Sequence, residues 1–266
     1  MITNSAGDRF QSGAEKYAAY LETPEGRLRL DLAFASLQEF LPPQGRDSLR
    51  ALDVGGGTGA IAVRLARLGI RVTLLDSSRE MLGIAGRAAN DKGLEGKITL
   101  KQGDASQVPG LFDAQSFDLI LCHNVLEYVE DPDVVLRGCA QLMRDSSAVL
   151  SVLVRNRAGE VLKSAIVGGD LKAAEKNLTD EWVKESLYGG RSRIFSPDAL
   201  QASLKAAPLE TIAMRGVRIV SDYLPSKVNR SADYDRIFEL DRQLGRRPEF
   251  ASIARYTHCL ARCVKS

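Results

Sequence analysis

The sequence predicts an α/β fold, a doubly wound sheet in which parallel strands alternate with helices. Two observations support this prediction. Residues 50–54 form a short apolar run that ends in a glycine-rich turn, and a helical pattern follows directly. Apolar runs and helical patterns then alternate as far as residue 154, which is typical of a parallel sheet covered by helices. A chain of 266 residues is long enough for one such domain with an insertion.

The first forty residues have helical spacing that is interrupted at Thr23-Pro24, which predicts two helices and a helix start at residue 24. We expect residues 1–44 to form an N-terminal helical lid over a ligand site, and residues 45–266 to form a Rossmann-like domain. The parallel part of its sheet has predicted strands near 50–54, 71–75, 98–102, 117–122 and 148–154. The predicted helices between them lie near 58–68, 78–91 and 132–143.

Residues 155–196 are too polar and irregular to be a simple connection between strands. We expect them to form an inserted substrate cap, with a short helix around 179–187, because insertions at this point lie over the carboxyl ends of the strands. Ser196-Pro197-Asp198 predicts the start of a helix over 197–206. Two strands near 211–220 and 253–263, connected through a helix near 234–244, should complete seven strands as an antiparallel pair at the sheet edge.

The composition is typical of a globular protein, with 44% hydrophobic and 26% charged residues. No apolar run reaches the roughly 20 residues that span a bilayer, and the first residues lack an export signal, so we expect a cytoplasmic protein without a membrane partner. The four cysteines have no Cys-x-x-Cys spacing, which predicts reduced thiols and no metal site. A net charge of +2 neither requires nor excludes nucleic acid.

The glycine-rich turn after the first predicted strand carries the strongest functional signal. Its glycines are Gly55, Gly56, Gly57 and Gly59. They adopt positive φ cheaply and let a ligand lie against bare backbone. Asp53 precedes the turn, and Asp76 and Ser77 end the second strand, where such a sheet places its acceptor for ribose hydroxyls. A carboxylate beside the turn would attract the ammonium of S-adenosylmethionine (SAM) but repel a pyrophosphate, which favours a SAM site over a dinucleotide site.

Two later strand ends supply further candidates. Asp104 and Ala105 follow the third strand, where the carboxylate could accept a hydrogen bond from an adenine amino group. His123 ends the fourth strand, beside the expected reaction centre. It could be the general base for a phenol, hydroxyl or amine acceptor, or it could only pack against the cofactor and bind backbone.

These motifs resemble the successive SAM-contacting motifs of class I methyltransferases over about residues 45–155. A narrower resemblance, to the tRNA 5-carboxymethoxyuridine carboxyl methyltransferase family, covers nearly the whole chain. It rests on residues 26–29, 123–128, 155–156, 216–224, 239–240 and 255–258. Members of that family use SAM to convert the oxyacetic acid of the wobble uridine in the tRNA anticodon loop into its methyl ester, with S-adenosylhomocysteine as the other product. The resemblance implies that the cofactor pocket is lined by Arg29, Gly55, Gly56, Asp76, Asp104, Ala105 and His123, with Arg29 on the methionine carboxylate.

Methyl transfer to a carboxylate needs no base, because the nucleophile is already ionised at neutral pH. The site must instead hold one carboxylate oxygen, which an arginine does well. Arg218, followed closely by Tyr223, is the first candidate for this catalytic positioning, and Arg155 and Arg255 are further substrate-binding candidates. Each arginine could equally be a solvated or structurally paired residue.

One departure from the family pattern leaves the acceptor open. Bacterial members carry a run of lysines before the Ser-Pro-Asp helix, whereas this chain has Tyr188-Gly-Gly-Arg-Ser-Arg193 there. Other basic residues could supply the phosphate contacts if they share a face, namely Arg191, Arg193, Lys227, Arg230, Arg246 and Arg247. The alternatives are a small-molecule O- or N-methyltransferase of bacterial specialised metabolism, and a protein that binds SAM without transferring its methyl group.

Overall fold

The structure is a computed structural model that describes residues 6–43, 45–185 and 187–264. Its nine strands are β1 Arg50–Val54, β2 Arg71–Asp76, β3 Ile98–Gln102, β4 Leu119–His123, β5 Val149–Arg155, β6 Trp182–Lys184, β7 Arg191–Arg193, β8 Leu209–Val217 and β9 Tyr256–Cys263. Strands β6 and β7 form a separate ribbon, and the other seven form one sheet in the order β3-β2-β1-β4-β5-β9-β8.

The pairing of the large sheet is that of the predicted doubly wound fold. Strands β1 to β5 are parallel, and β9 lies between β5 and β8, antiparallel to both. The predicted antiparallel pair at the edge is therefore confirmed. Because the parallel strands share a direction, the loops after β1, β2, β3 and β4 all open at the same edge of the sheet, where such folds bind ligands.

Eleven α-helices surround the strands in the described part of the chain. They are α1 Ala6–Leu21, α2 Pro24–Gln38, α3 Ala60–Arg67, α4 Arg79–Asn90, α5 Val108–Leu111, α6 Pro132–Leu142, α7 Arg157–Leu162, α8 Leu171–Asn177, α9 Pro197–Ala206, α10 Tyr234–Leu244 and α11 Pro248–Ala251. The predicted helix start at Pro24 is confirmed, since the Thr23 hydroxyl caps α2 by accepting a hydrogen bond from the Gly26 amide at 3.1 Å.

Apolar side chains fill both faces of the sheet. Leu52 and Val54 of β1 belong to a core with α6 and α9, whereas Ala51 of the same strand belongs to a core with α3 and α4. This alternation follows from the period of two along a strand, and it buries the sheet between two helical layers. No helix in the described residues is both long enough and apolar enough to cross a membrane.

One predicted element is wrong. The segment that we expected to be helical around 179–187 contains strand β6, which pairs with β7 in an antiparallel ribbon. Gly189 and Gly190 have φ values of +77° and +78°, so they turn the chain back on itself and favour strand pairing over a helix.

Candidate functional site

A cavity of about 1320 Å³ opens at the carboxyl edge of the parallel strands. It is larger than the roughly 300–1,000 Å³ of ordinary small-molecule sites, so it has room for two ligands side by side. The loops after β1 to β4 form its floor, and α1 contributes Phe10 and Tyr17 to its wall. The rings of Tyr128 and Tyr188 pack edge-on against Phe10, which connects α1 to the opposite wall.

The glycine turn exposes its backbone to this cavity. Gly55 and Gly57 line the wall with φ values of +63° and +55°. A Cβ added to Gly57 would reach van der Waals contact with the Tyr17 ring at 3.6 Å and the Met81 sulfur at 3.8 Å, both of which also line the cavity. The turn is therefore a cradle that a side chain would partly fill, as expected of a site that seats a nucleoside.

The other two glycines of the turn have a packing role and are not among the residues that line the cavity. A Cβ on Gly56 would lie 2.7 Å from the Leu74 side chain and 2.8 Å from the Asp53 carboxyl group. A Cβ on Gly59, whose φ is +76°, would lie 3.0 Å from the Cβ of Ala85 in α4. These close approaches hold α3 and α4 against the sheet.

The two acids near the glycine turn, Asp53 and Asp76, differ in their exposure. Asp53 is only 3% exposed and lies beneath the turn, outside the cavity wall. Burial, with a further contribution from the charge of Asp76, raises the pKa of Asp53 to about 7. Asp76 lines the cavity and accepts hydrogen bonds from the Gly57 and Ser78 amides, both at 2.9 Å. Its carboxylate keeps lone pairs for a ligand hydroxyl.

The loop after β3 continues the same wall. Ser77, Asp104 and Ala105 all line the cavity. One carboxylate oxygen of Asp104 accepts hydrogen bonds from the Ser106 amide at 2.8 Å and the Ser106 hydroxyl at 2.5 Å. The second oxygen can still accept from a ligand amino group, so this end of the cavity suits an adenine ring.

Arg29 reaches the cavity from α2. Its guanidinium donates to the Asn124 side-chain oxygen and to the Tyr17 hydroxyl, both at 2.9 Å. The rings of Tyr17, Tyr20 and Tyr256 surround it at 5.3 to 5.7 Å. Its Nε is buried and has no hydrogen-bond partner among the described residues. A buried cation with a spare donor is well suited to a carboxylate, which is what the methionine part of SAM would present.

His123 lines the cavity beside Asn124 and is held from behind. Its Nε2 lies 2.8 Å from the Ser151 hydroxyl, which lies 2.8 Å from Nε2 of the buried His258. Burial, then the neighbouring His258 and Arg29, lower the pKa of His123 well below its usual value. The imidazole is therefore neutral at physiological pH, and its orientation is fixed.

Three predicted arginines meet in the cavity near Arg29, and all are paired with buried acids. Arg218 follows β8 with a φ of +61° and donates from Nε to Asp222 at 2.8 Å. Arg255 pairs with Glu160 at 2.8 Å. Arg155 pairs with the same Glu160 at 3.2 Å.

Two of these arginines each contact a second acid. Arg255 also lies 3.5 Å from Asp222, and Arg155 also pairs with Glu185. Three acids that sequence reasoning missed thus balance three arginines. We call these six residues the arginine network.

The predicted catalytic Tyr223 does not join the cavity wall. Its hydroxyl lies 3.5 Å from the Gly159 carbonyl oxygen, and burial raises the pKa of Tyr223 to about 12. The structure therefore places the Tyr223 hydroxyl against the backbone of α7 and not among the residues that line the cavity.

Two further ionisable residues of the cavity, besides the acids of the arginine network, were not candidates in the sequence. Tyr256, adjacent to Arg255, has its ring in the middle of the arginines. Burial alone would raise its pKa, but Arg29, Arg155, Arg218 and Arg255 outweigh burial and lower the pKa to about 8. The signals for it were its position next to Arg255 and its place in segment 255–258 of the family resemblance.

The second missed residue is Lys163, which begins a short π-helical segment and lines the cavity. Among the described residues, no carboxylate lies within ion-pairing distance of its ammonium group. The positive charge of Arg255, followed by burial, lowers the pKa of Lys163. Lys163 is therefore a cation in a region of positive electrostatic potential. No sequence motif predicts this position.

The remaining basic candidates of the sequence are spread over several elements. Arg230 pairs with Glu25 at 3.4 Å, and Arg246 pairs with Glu39. Arg191 and Arg193 belong to β7, close to the cavity mouth. Within residues 6–43, 45–185 and 187–264, no group of three or more His, Cys, Asp or Glu side chains could hold a metal ion.

Comparison with known proteins gives consistent matches. A family model described as a methyltransferase domain matches residues 52–151. A tRNA 5-carboxymethoxyuridine methyltransferase of Escherichia coli is 30% identical over 260 residues, which cover 95% of each chain. A ubiquinone biosynthesis O-methyltransferase of Caulobacter is 33% identical over 189 residues, which cover 71% of this chain and 69% of the relative.

Solved structures extend the likeness in fold. A SAM-dependent methyltransferase of Thermotoga maritima superimposes with a TM-score of 0.61 at 17% identity, covering 97% of this chain and 99% of the other. A SAM-dependent methyltransferase of Mesorhizobium loti gives a TM-score of 0.58 at 18% identity, covering 87% and 97%.

Proposed function

Because the chain belongs to the class I SAM-dependent methyltransferases, in the family of the Escherichia coli tRNA 5-carboxymethoxyuridine methyltransferase, we propose that it esterifies the carboxylate of 5-carboxymethoxyuridine in the tRNA anticodon. Membership in this family argues against the third alternative, a protein that binds SAM without transferring its methyl group. The observation that carries the finer proposal is the cationic end of the cavity, where Lys163 stands beside the arginine network. Such an acceptor is found in the cytoplasm, which is where we expect the enzyme to work.

The glycine-turn half of the cavity fits SAM. When bound, this cofactor supplies an electrophilic methyl group on a positively charged sulfur. We assign its carboxylate to Arg29, its ribose hydroxyls to Asp76 and its adenine amino group to Asp104. Gly55 and Gly57 let the cofactor approach the backbone. Residues 1–44 would act as a lid, since Tyr17 and Arg29 both reach the cavity from this segment.

The cationic half fits a carboxylate acceptor. The arginine network is close to neutral, because Glu160, Glu185 and Asp222 compensate Arg155, Arg218 and Arg255. These three arginines remain our substrate-binding candidates, since each keeps a face on the cavity. Arg29 and Lys163 add positive charge that no ion pair compensates among the described residues. Because Arg29 is assigned to the cofactor, we assign Lys163 the first contact with the acceptor carboxylate.

Catalysis by this arrangement consists mainly of positioning. The acceptor carboxylate is ionised at neutral pH, so no residue has to remove a proton from it. The cations hold one carboxylate oxygen and leave the other aimed at the methyl group. In this reaction the neutral His123 shapes the wall between the two ligands.

The functional test is mass spectrometry of tRNA nucleosides from cells with and without this protein. We expect the methyl ester of 5-carboxymethoxyuridine at the wobble position to disappear without the protein, and the free acid to accumulate. The purified protein should then restore the ester on that tRNA when SAM is supplied. Unchanged nucleosides would contradict the tRNA proposal.

Substitution of Lys163 tests the acceptor contact directly. Lys163→Gln should raise the KM for the carboxylate acceptor by about 10- to 100-fold, because a hydrogen bond to a charged group contributes about 1.5–3 kcal/mol. Lys163→Arg should retain much of the affinity. The control is Lys172→Gln on the exposed surface of α8, which should leave the kinetics unchanged. Equal KM values for Lys163→Gln and the wild type would rule out this contact.

A second candidate function is methylation of a small-molecule hydroxyl. It is favoured by the ubiquinone biosynthesis O-methyltransferase relative and by the neutral, oriented imidazole of His123. In that reaction His123 would accept the hydroxyl proton, so His123→Ala should reduce kcat by about 10²- to 10⁴-fold. Carboxylate methylation predicts only a small loss for the same variant. Comparison of the His123→Ala and Lys163→Gln kinetics therefore separates the two functions.

A further inference from the structure

The β6–β7 ribbon has one polar face with an unusual combination of side chains. Its register pairs Trp182 with Arg193, Val183 with Ser192, and Lys184 with Arg191. Directly opposed residues of an antiparallel pair lie on the same face, and successive residues alternate between faces. Three cations and the indole therefore share one face of the ribbon.

The burial of the ribbon shows which face is inward. Val183 and Ser192, on the second face, are 8% and 0% exposed. Lys184 and Arg191 are exposed, and Trp182 and Arg193 are only partly buried. The cationic face with its indole is thus the outward face of the ribbon.

The guanidinium groups lie close to the indole ring. The Cζ atom of Arg193 is 4.7 Å from the Trp182 ring centroid, and that of Arg191 is 5.4 Å from it. Among the described residues neither Lys184 nor Arg193 forms an ion pair with a carboxylate, and the Arg193 guanidinium donates only to the Glu130 backbone oxygen, at 3.4 Å. The positive charges of Lys184 and Arg193 are therefore not cancelled by ion pairs with acids among the described residues.

The ribbon is fixed at the mouth of the cavity. Trp182 and Arg191 line its wall, and the Arg193 amide donates to the Glu127 carbonyl oxygen at 2.9 Å. The indole therefore borders a route from the cavity to the surface. Glu130 and Asp131 also line the cavity, and Glu130 lies beside Arg193, which donates to its backbone oxygen.

We propose that the outward face of the ribbon, formed by Trp182, Lys184, Arg191 and Arg193, docks the single-stranded RNA that flanks the methylated nucleotide. Trp182 stacks on a neighbouring base, and the three cations bind the adjoining phosphates. An aromatic platform between cations matches single-stranded nucleic acid, which offers a π-face and a negative charge at every nucleotide. A small free acceptor would not extend this far. The inference rests on the proposed tRNA function and assigns its docking surface.

The chain offers a direct probe of this surface, because Trp182 is its only tryptophan. Titration of the purified protein with a tRNA anticodon stem-loop should quench the tryptophan emission, since a stacked base contacts the indole itself. Fluorescence anisotropy of a labelled stem-loop gives the affinity in the same samples. Binding of the stem-loop without any change in tryptophan emission would overturn the inference.

Variants add a quantitative test. Trp182→Ala should weaken stem-loop binding about 5- to 100-fold, as expected for loss of one stacked base. Arg191→Gln and Arg193→Gln should each reduce the slope of log Kd against log salt by about 1. The matched control is Lys92→Gln, an exposed lysine after α4, at the opposite edge of the sheet, which should bind as the wild type does. Melting temperature and SAM affinity show whether each variant is folded, and Trp182→Phe should restore part of the binding.

The two possible failures can be told apart. Ribbon variants that bind the stem-loop as tightly as the wild type would contradict the docking surface while leaving tRNA methylation intact. A wild-type protein that ignores the stem-loop at low salt would contradict the tRNA function itself, and the docking surface with it.

Discussion

Tyr256 shows how strongly one side chain depends on its neighbours in this site. A buried phenol ordinarily resists ionisation, yet four guanidinium groups lower the pKa of Tyr256 to about 8. Below pH 8 the hydroxyl is neutral and the cationic end keeps its full positive charge. Above pH 8 a phenolate forms among the cations, so this end loses one positive charge.

The pH dependence of acceptor binding should report this ionisation. We expect the KM for the carboxylate acceptor to rise roughly fivefold between pH 7 and pH 9, because a new like charge near the ligand costs about 1 kcal/mol. Tyr256→Phe should remove this rise. Tyr234→Phe, on α10 away from the cavity wall, is the control and should keep the wild-type profile. A rise that persists in Tyr256→Phe would assign the titration to another group.

Arg29 provides the corresponding test at the cofactor end. Arg29→Gln should reduce SAM affinity about 10- to 100-fold in calorimetry, since it removes a buried charged hydrogen bond of about 1.5–3 kcal/mol. Arg27→Gln, on the exposed side of the same helix, should bind SAM normally. Thermal melting shows whether the loss is one of binding or of folding. Normal SAM affinity in folded Arg29→Gln would mean that another residue holds the cofactor carboxylate.

Among the elements, α7 has an especially close contact with the site. Gly159 of α7 packs against the backbone just before β9, and a Cβ there would lie 2.4 Å from the Ala254 carbonyl oxygen and 2.7 Å from Cα of Arg255. Because both atoms are backbone atoms, they cannot move aside as a flexible side chain would. This contact sets the distance between Glu160 on α7 and Arg255, which form an ion pair.

Gly159→Ala should therefore disturb both stability and the acceptor end. We expect a loss of about 1–3 kcal/mol in the free energy of unfolding, together with a higher KM for the acceptor. The control is Gly83→Ala in α4, where the nearest atom to an added Cβ is the Arg87 side-chain nitrogen at 3.7 Å. That variant should gain about 0.5–1 kcal/mol from better helix propensity. Denaturant unfolding of both variants measures the difference, and a stabilising Gly159→Ala would show that α7 can shift freely.

The cofactor end was predictable from sequence because its parts are local. Gly55, Asp76 and Asp104 each lie at or just after the end of a parallel strand, so strand order alone brings them together. At the acceptor end, the sequence predicted the arginines but not the acids that pair with them. Arg155 was a candidate, but its partner Glu185 is 30 residues away, in a segment with no repeating pattern. The same segment was predicted as a helix, because β6 spans only three residues and shows no clear alternation, although the Gly189-Gly190 turn favours a hairpin.

At the scale of the whole molecule, Asp53 connects the glycine turn to global stability. Its pKa of about 7 in the folded state lies above the roughly 3.9 of an unfolded chain. The folded state therefore holds a proton that the unfolded state releases between these values. The stability that this proton contributes is fully present below about pH 4 and is lost as the pH rises through 7.

The wild type without ligand should lose about 2–3 kcal/mol of unfolding free energy from this group between pH 5 and pH 8. Asp53→Asn cannot ionise, so its stability should change less over the same range. Asp91→Asn, at an exposed position after α4, is the control and should follow the wild type. Urea unfolding at the two pH values measures the effect, and parallel curves for Asp53→Asn and the wild type would contradict it.

The place of β9 in the sheet determines the order in which the two ends of the site are completed during synthesis. The glycine turn is complete once β1 to β4 have formed, whereas Tyr256 belongs to a strand that must insert between β5 and β8. A nascent chain that has left the ribosome only as far as β8 already contains the residues that we assign to the methyl donor. It still lacks Arg218, Arg255 and Tyr256, so the acceptor end around Lys163 is incomplete. Premature termination before β9 would thus produce fragments that carry every residue assigned to the donor but only part of the surface assigned to the recipient.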